Sequence, residues 1–184
     1  HGGTLTLGNA GGFADGADLA VNGGAVDLNN NAKAIGALTM RGGTVQSTGG
    51  AVTLTLGGDV AYKGALSTAT IASSVNVDLN GDRVFDIANG FAAQDMVIDG
   101  VLSGVGGLTK TGDGRLHLGS SLNTFQGAIV IEGGVLSGTV GQAGATPLGD
   151  VSNSVALSGN GKLHLNEVDN SSAAFGDVTF AGNN

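Results

Sequence analysis

The side chains best placed to bind a metal ion together lie between positions 78 and 86. The stretch Asp78–Asp82, followed by Asp86, offers oxygen atoms at alternate positions, which is the donor set that Ca²⁺ prefers. Two departures argue against a calcium loop, because Arg83 stands where such a turn needs glycine and Asn89 where it needs a bidentate glutamate. Aspartate and asparagine also suit turns that end strands. We therefore predict a turn here, and no metal site in the chain.

Two histidines occur in matching contexts, His117 in Arg-Leu-His-Leu and His164 in Lys-Leu-His-Leu. In an alternating strand the two leucines face inward and the histidine faces outward. The spacing of 47 residues amounts to about two turns of a repeating coil, which separates the two imidazoles by roughly 9–10 Å. That distance is too long for a shared metal ion. We predict that both histidines are solvated strand residues.

Catalytic motifs are missing from the sequence. Asp95 and Asp99 have no cation or histidine beside them, and Asp150 has no defined Ser/His partner. The N-T-D, D-D, G-H-G and R-I-K signatures of pectinolytic hydrolases do not occur, nor do the G-D-S-G and G-T-S signatures of serine proteases. We predict no enzymatic activity and no cofactor. The alternative is a polysaccharide lyase or hydrolase, which outward-facing, coplanar carboxylates in a groove would favour.

The charge of the chain limits its partners. The net charge is −8, and the seven basic residues are scattered along the sequence, so no basic patch favours nucleic acid. An anionic membrane surface would repel the chain as well. Without cysteine there is neither a disulfide nor a thiolate metal site. The longest apolar run, Ala128–Ile131, is far shorter than the roughly 18–20 residues of a membrane-spanning helix.

Glycine marks the boundaries of the elements that must position any site. There are 36 glycines, and most of the eight Gly-Gly pairs precede short alternating segments of the kind seen in Thr4–Leu7 and Val75–Leu79. Period two indicates half-buried strands, which are too short to bury an apolar face unless they stack on one another. Aromatic residues are only 4%, which disfavours a two-sheet sandwich. At roughly 20 residues per coil we predict an all-β solenoid of about eight to nine coils, about 40 Å long.

One long stretch is specific enough to indicate a family. Residues 107–119 read Gly-Leu-Thr-Lys-Thr-Gly-Asp-Gly-Arg-Leu-His-Leu-Gly, and residues 123–137 add Asn-Thr-Phe-Gln-Gly, a strand and Gly-Gly-Val-Leu-Ser. This resembles the autotransporter-associated β-strand repeat, a motif of passenger domains in bacterial type V secretion. The best-matching repeat spans 107–138, and looser matches extend the resemblance over most of the chain. We interpret residues 1–184 as a single fragment of a longer passenger domain.

The resemblance implies a right-handed parallel β-helix at the bacterial cell surface, on the extracellular face of the outer membrane, or secreted from it. It further implies that the parent chain ends in an outer-membrane β-barrel. The implied role is a structural stalk or adhesin in host or cell–cell contact. Its partner would be a host-cell surface protein, a glycan, or another copy of the protein on a neighbouring cell, and not nucleic acid.

The surfaces that could bind such partners are loops and hydroxyl rows. We expect variable binding loops from Ala10 to Asp18 and from Thr139 to Asp150, because loops on a rigid stack can change without disturbing the core. Two Thr-x-Thr pairs, Thr4/Thr6 and Thr53/Thr55, have the unit pattern of a flat ice-binding array. Ice binding is therefore a minor alternative to simple solvation of the outer faces.

Overall fold

The computed structural model describes residues 2–9, 11–141, 144–167 and 178–180, which form short strands joined by turns. Within these ranges there is no helix, and so none that could cross a membrane. The strands are β1 (Thr4–Thr6), β2 (Leu19–Val21), β3 (Ala25–Asp27), β4 (Lys33–Ile35), β5 (Leu38–Met40), β6 (Gly43–Gln46), β7 (Val52–Leu56), β8 (Val60–Tyr62), β9 (Ala69–Ile71), β10 (Val75–Asp78), β11 (Arg83–Ile87), β12 (Met96–Ile98), β13 (Leu102–Ser103), β14 (Leu108–Thr111), β15 (Arg115–Leu118), β16 (Ile129–Ile131), β17 (Val135–Val140), β18 (Val155–Leu157), β19 (Lys162–Glu167) and β20 (Val178–Phe180).

The strands stack into three parallel sheets. The first sheet runs β1-β3-β6-β9-β12-β15-β17-β19, the second β2-β5-β8-β11-β14-β16-β18-β20, and the third β4-β7-β10-β13. All strand pairs among the described residues are parallel. In the middle turns the chain passes from the first sheet to the third and the second, and returns to the first one strand spacing further on. This is an all-β parallel solenoid, as the sequence predicted.

The solenoid has about seven turns, fewer than the eight to nine that we predicted. Each of the two long sheets contains eight strands, which seven steps connect. Turn length varies, and several turns exceed the assumed 20 residues: Val26 pairs with Val45, 19 residues on, but Ile71 pairs with Ile98, 27 residues on. Seven strand spacings of ~4.8 Å give a stack about 34 Å long.

Inward-facing side chains of successive strands form one apolar column. Val45, Ile71, Ile98 and Leu118 pair in this order in the first sheet, and each is almost fully buried. Leu5 holds the same position on β1 but is 59% exposed, because β1 has a neighbouring strand on one side only. Burial of each such side chain contributes about 1.5–3 kcal/mol relative to an exposed one. The core therefore depends on stacking, as the short alternating segments indicated.

Close approach of successive turns explains the glycine content at the corners. Gly134 has a φ of 63°, and a Cβ at this position would collide with the carbonyl oxygen of Gly114 in the preceding turn. A Cβ at Gly106 would overlap the carbonyl oxygen of Gly81. Only glycine combines the left-handed conformation at Gly134 with a backbone that approaches so closely.

The third sheet covers only part of the stack. After β13 the corresponding side of the solenoid is built by irregular segments, residues 119–128 and 144–154. The backbone of these segments still forms hydrogen bonds with the preceding turn. The N–H of Gln126 donates to the carbonyl oxygen of Gly104 at 2.8 Å, and the N–H of Asp150 donates to the carbonyl oxygen of Phe125 at 2.9 Å. These segments therefore continue the stack without forming strands, and they shape the surface described below.

Candidate functional site

The carboxylates between positions 78 and 86 are bound by the protein itself. Asp78 Oδ1 accepts the N–H of Asn80 at 2.9 Å, and Asp82 Oδ1 accepts the N–H of Gly107 in the next turn at 2.8 Å. Asp86 Oδ2 lies 3.1 Å from the Nζ of a lysine on the preceding turn. In the part of the chain that the structure describes, no three His, Cys, Asp or Glu side chains converge to hold a metal ion. The segment forms a turn whose carboxylates bind neighbouring groups of the protein.

His117 corrects the prediction that both histidines are solvated. Its side chain is on the outer face of β15 but only 9% exposed. Its Nδ1 lies 3.0 Å from the hydroxyl of Ser137 and its Nε2 lies 3.3 Å from the hydroxyl of Thr139, both on β17. Burial lowers the pKa of His117, which the carboxylate of Asp99 partly opposes. His164 is exposed and pairs with Ser137 from the other side, so the two histidines are two strands apart, as predicted.

Asp95 and Asp99 do not form a carboxylate pair that could act together. Asp95 is buried, and its two oxygens accept the N–H of Gly90 at 2.6 Å and the N–H of Arg115 at 2.8 Å. Asp99 is exposed. The buried carboxylate therefore fixes the corner before β12 and β15, a role that sequence reasoning missed because the bonded groups are 5 and 20 residues away.

The two Thr-x-Thr pairs do not form an array. Thr4 and Thr6 lie on β1 in the first sheet, whereas Thr53 and Thr55 lie on β7 in the third. The next strand places Ala25 beside Thr4, so the pattern is not continued on the neighbouring turn. The flat surface required of an ice-binding face is therefore not formed by these residues.

The first expected binding loop, Ala10 to Asp18, folds against the next turn. Ala10 lies outside the described residues. Lys33, on β4, points inward and its Nζ lies 2.7 Å from a carboxylate oxygen of Asp15 and donates to the carbonyl oxygen of Phe13 at 2.7 Å. The same ammonium lies 4.7 Å from the centroid of the Phe13 ring. Residues 11–18 are therefore held to the body of the solenoid.

The second expected loop, Thr139 to Asp150, also differs from the prediction of a freely variable segment. Thr139 and Val140 belong to β17, and residues 142–143 lie outside the described residues. Ala145, Pro147 and Leu148 are buried. Because this segment supplies core side chains where the third sheet is missing, its length and composition are constrained by packing.

Lys110 is the most unexpected side chain in the structure. It occupies an inward-facing position of β14, between Phe85 and Ile131 on the neighbouring strands, and is fully buried. Its Nζ donates to the carbonyl oxygens of Thr111, Gly112 and Gly133 at 2.6, 2.8 and 3.1 Å. Burial lowers the pKa of this ammonium group to about 8, although nearby aspartates act in the opposite direction. The lysine thus ties the corner of its own turn to the corner of the next.

The residues at the fixed positions of the repeat either join neighbouring turns by hydrogen bonds or pack in the core. Asn123, which is buried, accepts the N–H of Leu102 at 2.8 Å and donates to the carbonyl oxygen of Pro147 at 2.8 Å. It therefore joins the turn below to the turn above. The apolar positions face the core: Leu108, Leu116, Leu118, Phe125, Ile129, Ile131 and Leu136. Lys110 and Asn123 stand at fixed positions of the repeat pattern, and this was the sequence signal for them. Their partners on other turns could not be derived from spacing.

A polar groove with a volume of about 360 Å³ lies where the third sheet has ended. Residues 126–128 form one wall and residues 150–154 the other. Asn153 holds the walls together, because its Oδ1 accepts the N–H of Gly127 at 2.9 Å and its amide donates to the carbonyl oxygen of Phe125 at 2.9 Å. The groove has a shape that could hold a ligand, and sequence reasoning did not find it.

Some polar groups of the groove are held by hydrogen bonds within the protein, and others have no bonding partner among the described residues. Asp150 Oδ1 accepts the N–H and the hydroxyl of Ser152 at 2.9 and 2.6 Å, and these bonds lower the pKa of the Asp150 carboxyl. Asp150 Oδ2, the Gln126 amide and the Ser154 hydroxyl make no hydrogen bond within the described parts of the chain. No basic side chain is among the residues that line this described groove. The groove is therefore an anionic, hydroxyl-rich surface.

The geometry defines a parallel β-solenoid with one well-formed repeat, and comparison with known proteins agrees. A family model described as the passenger-associated-transport-repeat matches residues 108–137. A curated relative, the adhesin BmaC autotransporter of Brucella suis biovar 1 (strain 1330), is 40% identical over 89 residues, which is 47% of this chain and 2% of the relative. The chain thus spans a small fraction of that relative's length. No solved structure matches the chain. The resemblance to an autotransporter passenger with β-strand repeats is confirmed.

Proposed function

We propose that this chain is a segment of an autotransporter passenger that serves as a stalk and takes part in adhesion. The observation that carries the proposal is the transport repeat at residues 108–137, set within a continuous parallel stack. The similarity to an adhesin autotransporter supports the adhesive role. The passenger would be displayed on the outer face of a Gram-negative outer membrane or secreted, and would contact a host-cell surface protein, a glycan or a second copy of itself.

The proposal includes two further points that follow from this class of protein. The coil is right-handed, because crossovers between parallel strands of one sheet are right-handed in about 98% of cases. The parent chain carries a C-terminal outer-membrane β-barrel, through which the passenger is exported. Each turn of such a stack contacts only its neighbours, which suits a segment that folds progressively as it emerges.

A catalytic role has less support. Glycoside hydrolases generally place two carboxylates across the bond that is cleaved, about 5–9.5 Å apart. The groove between residues 126–128 and 150–154 contains one carboxylate among its described lining residues, that of Asp150. We therefore propose a binding or structural role in preference to polysaccharide cleavage.

Surface display and adhesion are tested together in bacteria that produce the parent protein. An antibody against this segment should label intact, non-permeabilised cells, and an in-frame deletion of the parent gene should reduce adherence to host cells or between bacteria. Labelling that requires permeabilisation would contradict the proposed location. Equal adherence of the parent and deletion strains, in both assays, would contradict the adhesive role.

A further inference from the structure

We propose that the groove between residues 126–128 and 150–154 binds uncharged sugar units of a glycan. The inference rests on the proposed adhesive function and names a ligand class and a site for it. The groove volume of about 360 Å³ lies within the range of about 300–1,000 Å³ that is usual for small-molecule sites. The site combines three features that suit a sugar: free hydrogen-bonding groups, a fixed shape and an apolar edge.

The free groups match the chemistry of sugar hydroxyls. A carboxylate oxygen accepts hydrogen bonds, and an amide both donates and accepts them, so together they can bind adjacent hydroxyls that are themselves donors and acceptors. Asp150 Oδ2, the Gln126 amide and the Ser154 hydroxyl are available for this purpose among the described residues. They belong to both of the segments that line the groove, so a ligand in the groove can contact both segments.

The groove is organised before any ligand binds. Asn153 is almost fully buried and bridges the two walls through the N–H of Gly127 and the carbonyl oxygen of Phe125. The Asp150 carboxylate is oriented by the N–H and hydroxyl of Ser152. The backbone of the groove and the Asp150 carboxylate then lose little conformational entropy on binding, which favours affinity for a small polar ligand.

The negative charge of the groove favours uncharged sugars over acidic ones. The carboxyl of Asp150 has a lowered pKa, the groove has no basic residue in its described lining, and the chain as a whole has a net charge of −8. Sialic and uronic acids carry a carboxylate that this surface would repel. Uncharged hexoses lack it. Ala128, an exposed residue of the groove lining, adds a small apolar surface for the C–H face of a sugar ring.

The site is tested by NMR titration of the ¹⁵N-labelled 184-residue chain with uncharged gluco-, galacto- and manno-oligosaccharides and with their sialylated or uronic-acid counterparts. We expect at least one uncharged oligosaccharide to shift the amide signals of Gly127, Ser152 and Ser154. The acidic counterpart should bind at least tenfold more weakly. Asp150→Asn, which keeps an oxygen for the Ser152 turn, and Gln126→Ala should each weaken binding at least tenfold.

Asp78→Asn is the matched control, because Asp78 Oδ1 accepts the N–H of Asn80 in the same kind of turn but does not line the groove. It should bind like the wild type, and unchanged melting temperatures should show that all variants fold. The proposal is overturned if no uncharged oligosaccharide shifts the groove signals, if acidic sugars bind more tightly, or if Asp150→Asn and Gln126→Ala bind normally.

The same variants, introduced into the parent protein on bacteria, separate this inference from the proposed function. If the groove variants adhere as well as the wild type, the groove is not the adhesive site although the adhesive role stands. If the unaltered parent protein gives no adherence, the adhesive function fails irrespective of sugar binding in vitro.

Discussion

At the scale of single residues, three basic side chains of the solenoid donate hydrogen bonds to backbone carbonyl oxygens. Lys33 and Lys110 occupy inward-facing strand positions, and Arg83, which pairs with an inward leucine, donates to the carbonyl oxygens of Leu56 and Asn80. A buried cation is tolerated only where its protons are bound, and corner carbonyls without strand partners supply the acceptors. Three of the seven basic residues thus bind turn backbone, which leaves few for the surface.

Replacement of Lys110 by methionine should destabilise the protein by about 1–3 kcal/mol at pH 7, because three corner carbonyls lose a buried donor. The difference in unfolding free energy between the wild type and Lys110→Met should grow between pH 8 and 10.5. The pKa of Lys110 is lowered to about 8 in the folded protein from 10.5, so in this range the unfolded wild-type chain binds more protons and wild-type stability rises with pH. Urea unfolding of both proteins at pH 7, 8.5 and 10 measures the difference.

Lys63→Met is the matched control for this experiment. Lys63 pairs with Asp86 on the exposed surface, where an ion pair contributes less than about 1 kcal/mol. The role assigned to Lys110 would be contradicted if Lys110→Met were as stable as Lys63→Met. It would also be contradicted if the stability difference between Lys110→Met and the wild type did not change above pH 8.

His117 should make the protein sensitive to mild acid. Burial lowers its pKa below the 6.5 of an unfolded chain, so protonation favours the unfolded state and stability falls as the pH drops from 6.5 through the folded-state pKa. Thermal unfolding between pH 7.5 and 5 should show a smaller loss of melting temperature in His117→Gln than in the wild type. His164→Gln, altered at the exposed equivalent position, should behave like the wild type, and an equally steep loss in His117→Gln would refute the assignment.

At the scale of elements, irregular corners replace strands without interrupting the stack. Past β13, asparagine side chains take over part of the bonding that a strand backbone would provide: Asn123 binds Leu102 and Pro147, and Asn153 binds Gly127 and Phe125. An amide side chain can imitate a peptide group because it offers the same donor and acceptor. These segments can therefore leave the strand conformation and form a groove while remaining attached to the core.

Asn123→Ala should cost about 2–4 kcal/mol of unfolding free energy, since it leaves the N–H of Leu102 and the carbonyl oxygen of Pro147 without their partner in a buried site. Asn160→Ala is the control, because Asn160 is exposed and its side chain binds only that of Asp113 within the described structure. Chemical denaturation compares the two variants. Equal stability of both would show that Asn123 is not needed to join the turns.

The sequence was sufficient for the elements that depend on local pattern. Alternation in Thr4–Leu7 and Val75–Leu79 correctly indicated strands, and the glycines correctly indicated corners. The number of turns was wrong because turn length varies from 19 to 27 residues with the insertions at corners. The burial of His117 and Lys110 and the shape of the groove depend on contacts some 20 or more residues away, which no local pattern reports.

At the scale of the whole molecule, stability should vary along the axis of the solenoid. Strands β14–β17 have a bonded strand on both sides, and the repeat that contains them has buried polar ties to neighbouring turns. By contrast, β1 has one neighbour and its Leu5 is largely exposed. Nearest-neighbour coupling in such a stack makes terminal turns open most easily.

In the 184-residue chain, native-state hydrogen exchange should therefore find the slowest amides within residues 107–138 and much faster exchange in β1. Mass spectrometry of peptides that cover each turn resolves the two regions. The peptide that contains β9 is an internal reference, since β9 also has strands on both sides. Exchange that is fastest within 107–138 would show that the repeat is not a stable part of the stack.

The register of β15, β17 and β19 has a consequence for how such rods change length. Arg115–Leu118 and Lys162–Leu165 are nearly the same sequence, yet the intervening strand β17 separates them. These two similar strands are therefore separated by 47 residues and two turns, not one. Duplication of a gene segment of that size would set like strands back in register and lengthen the rod by about 10 Å, without any new kind of contact between turns.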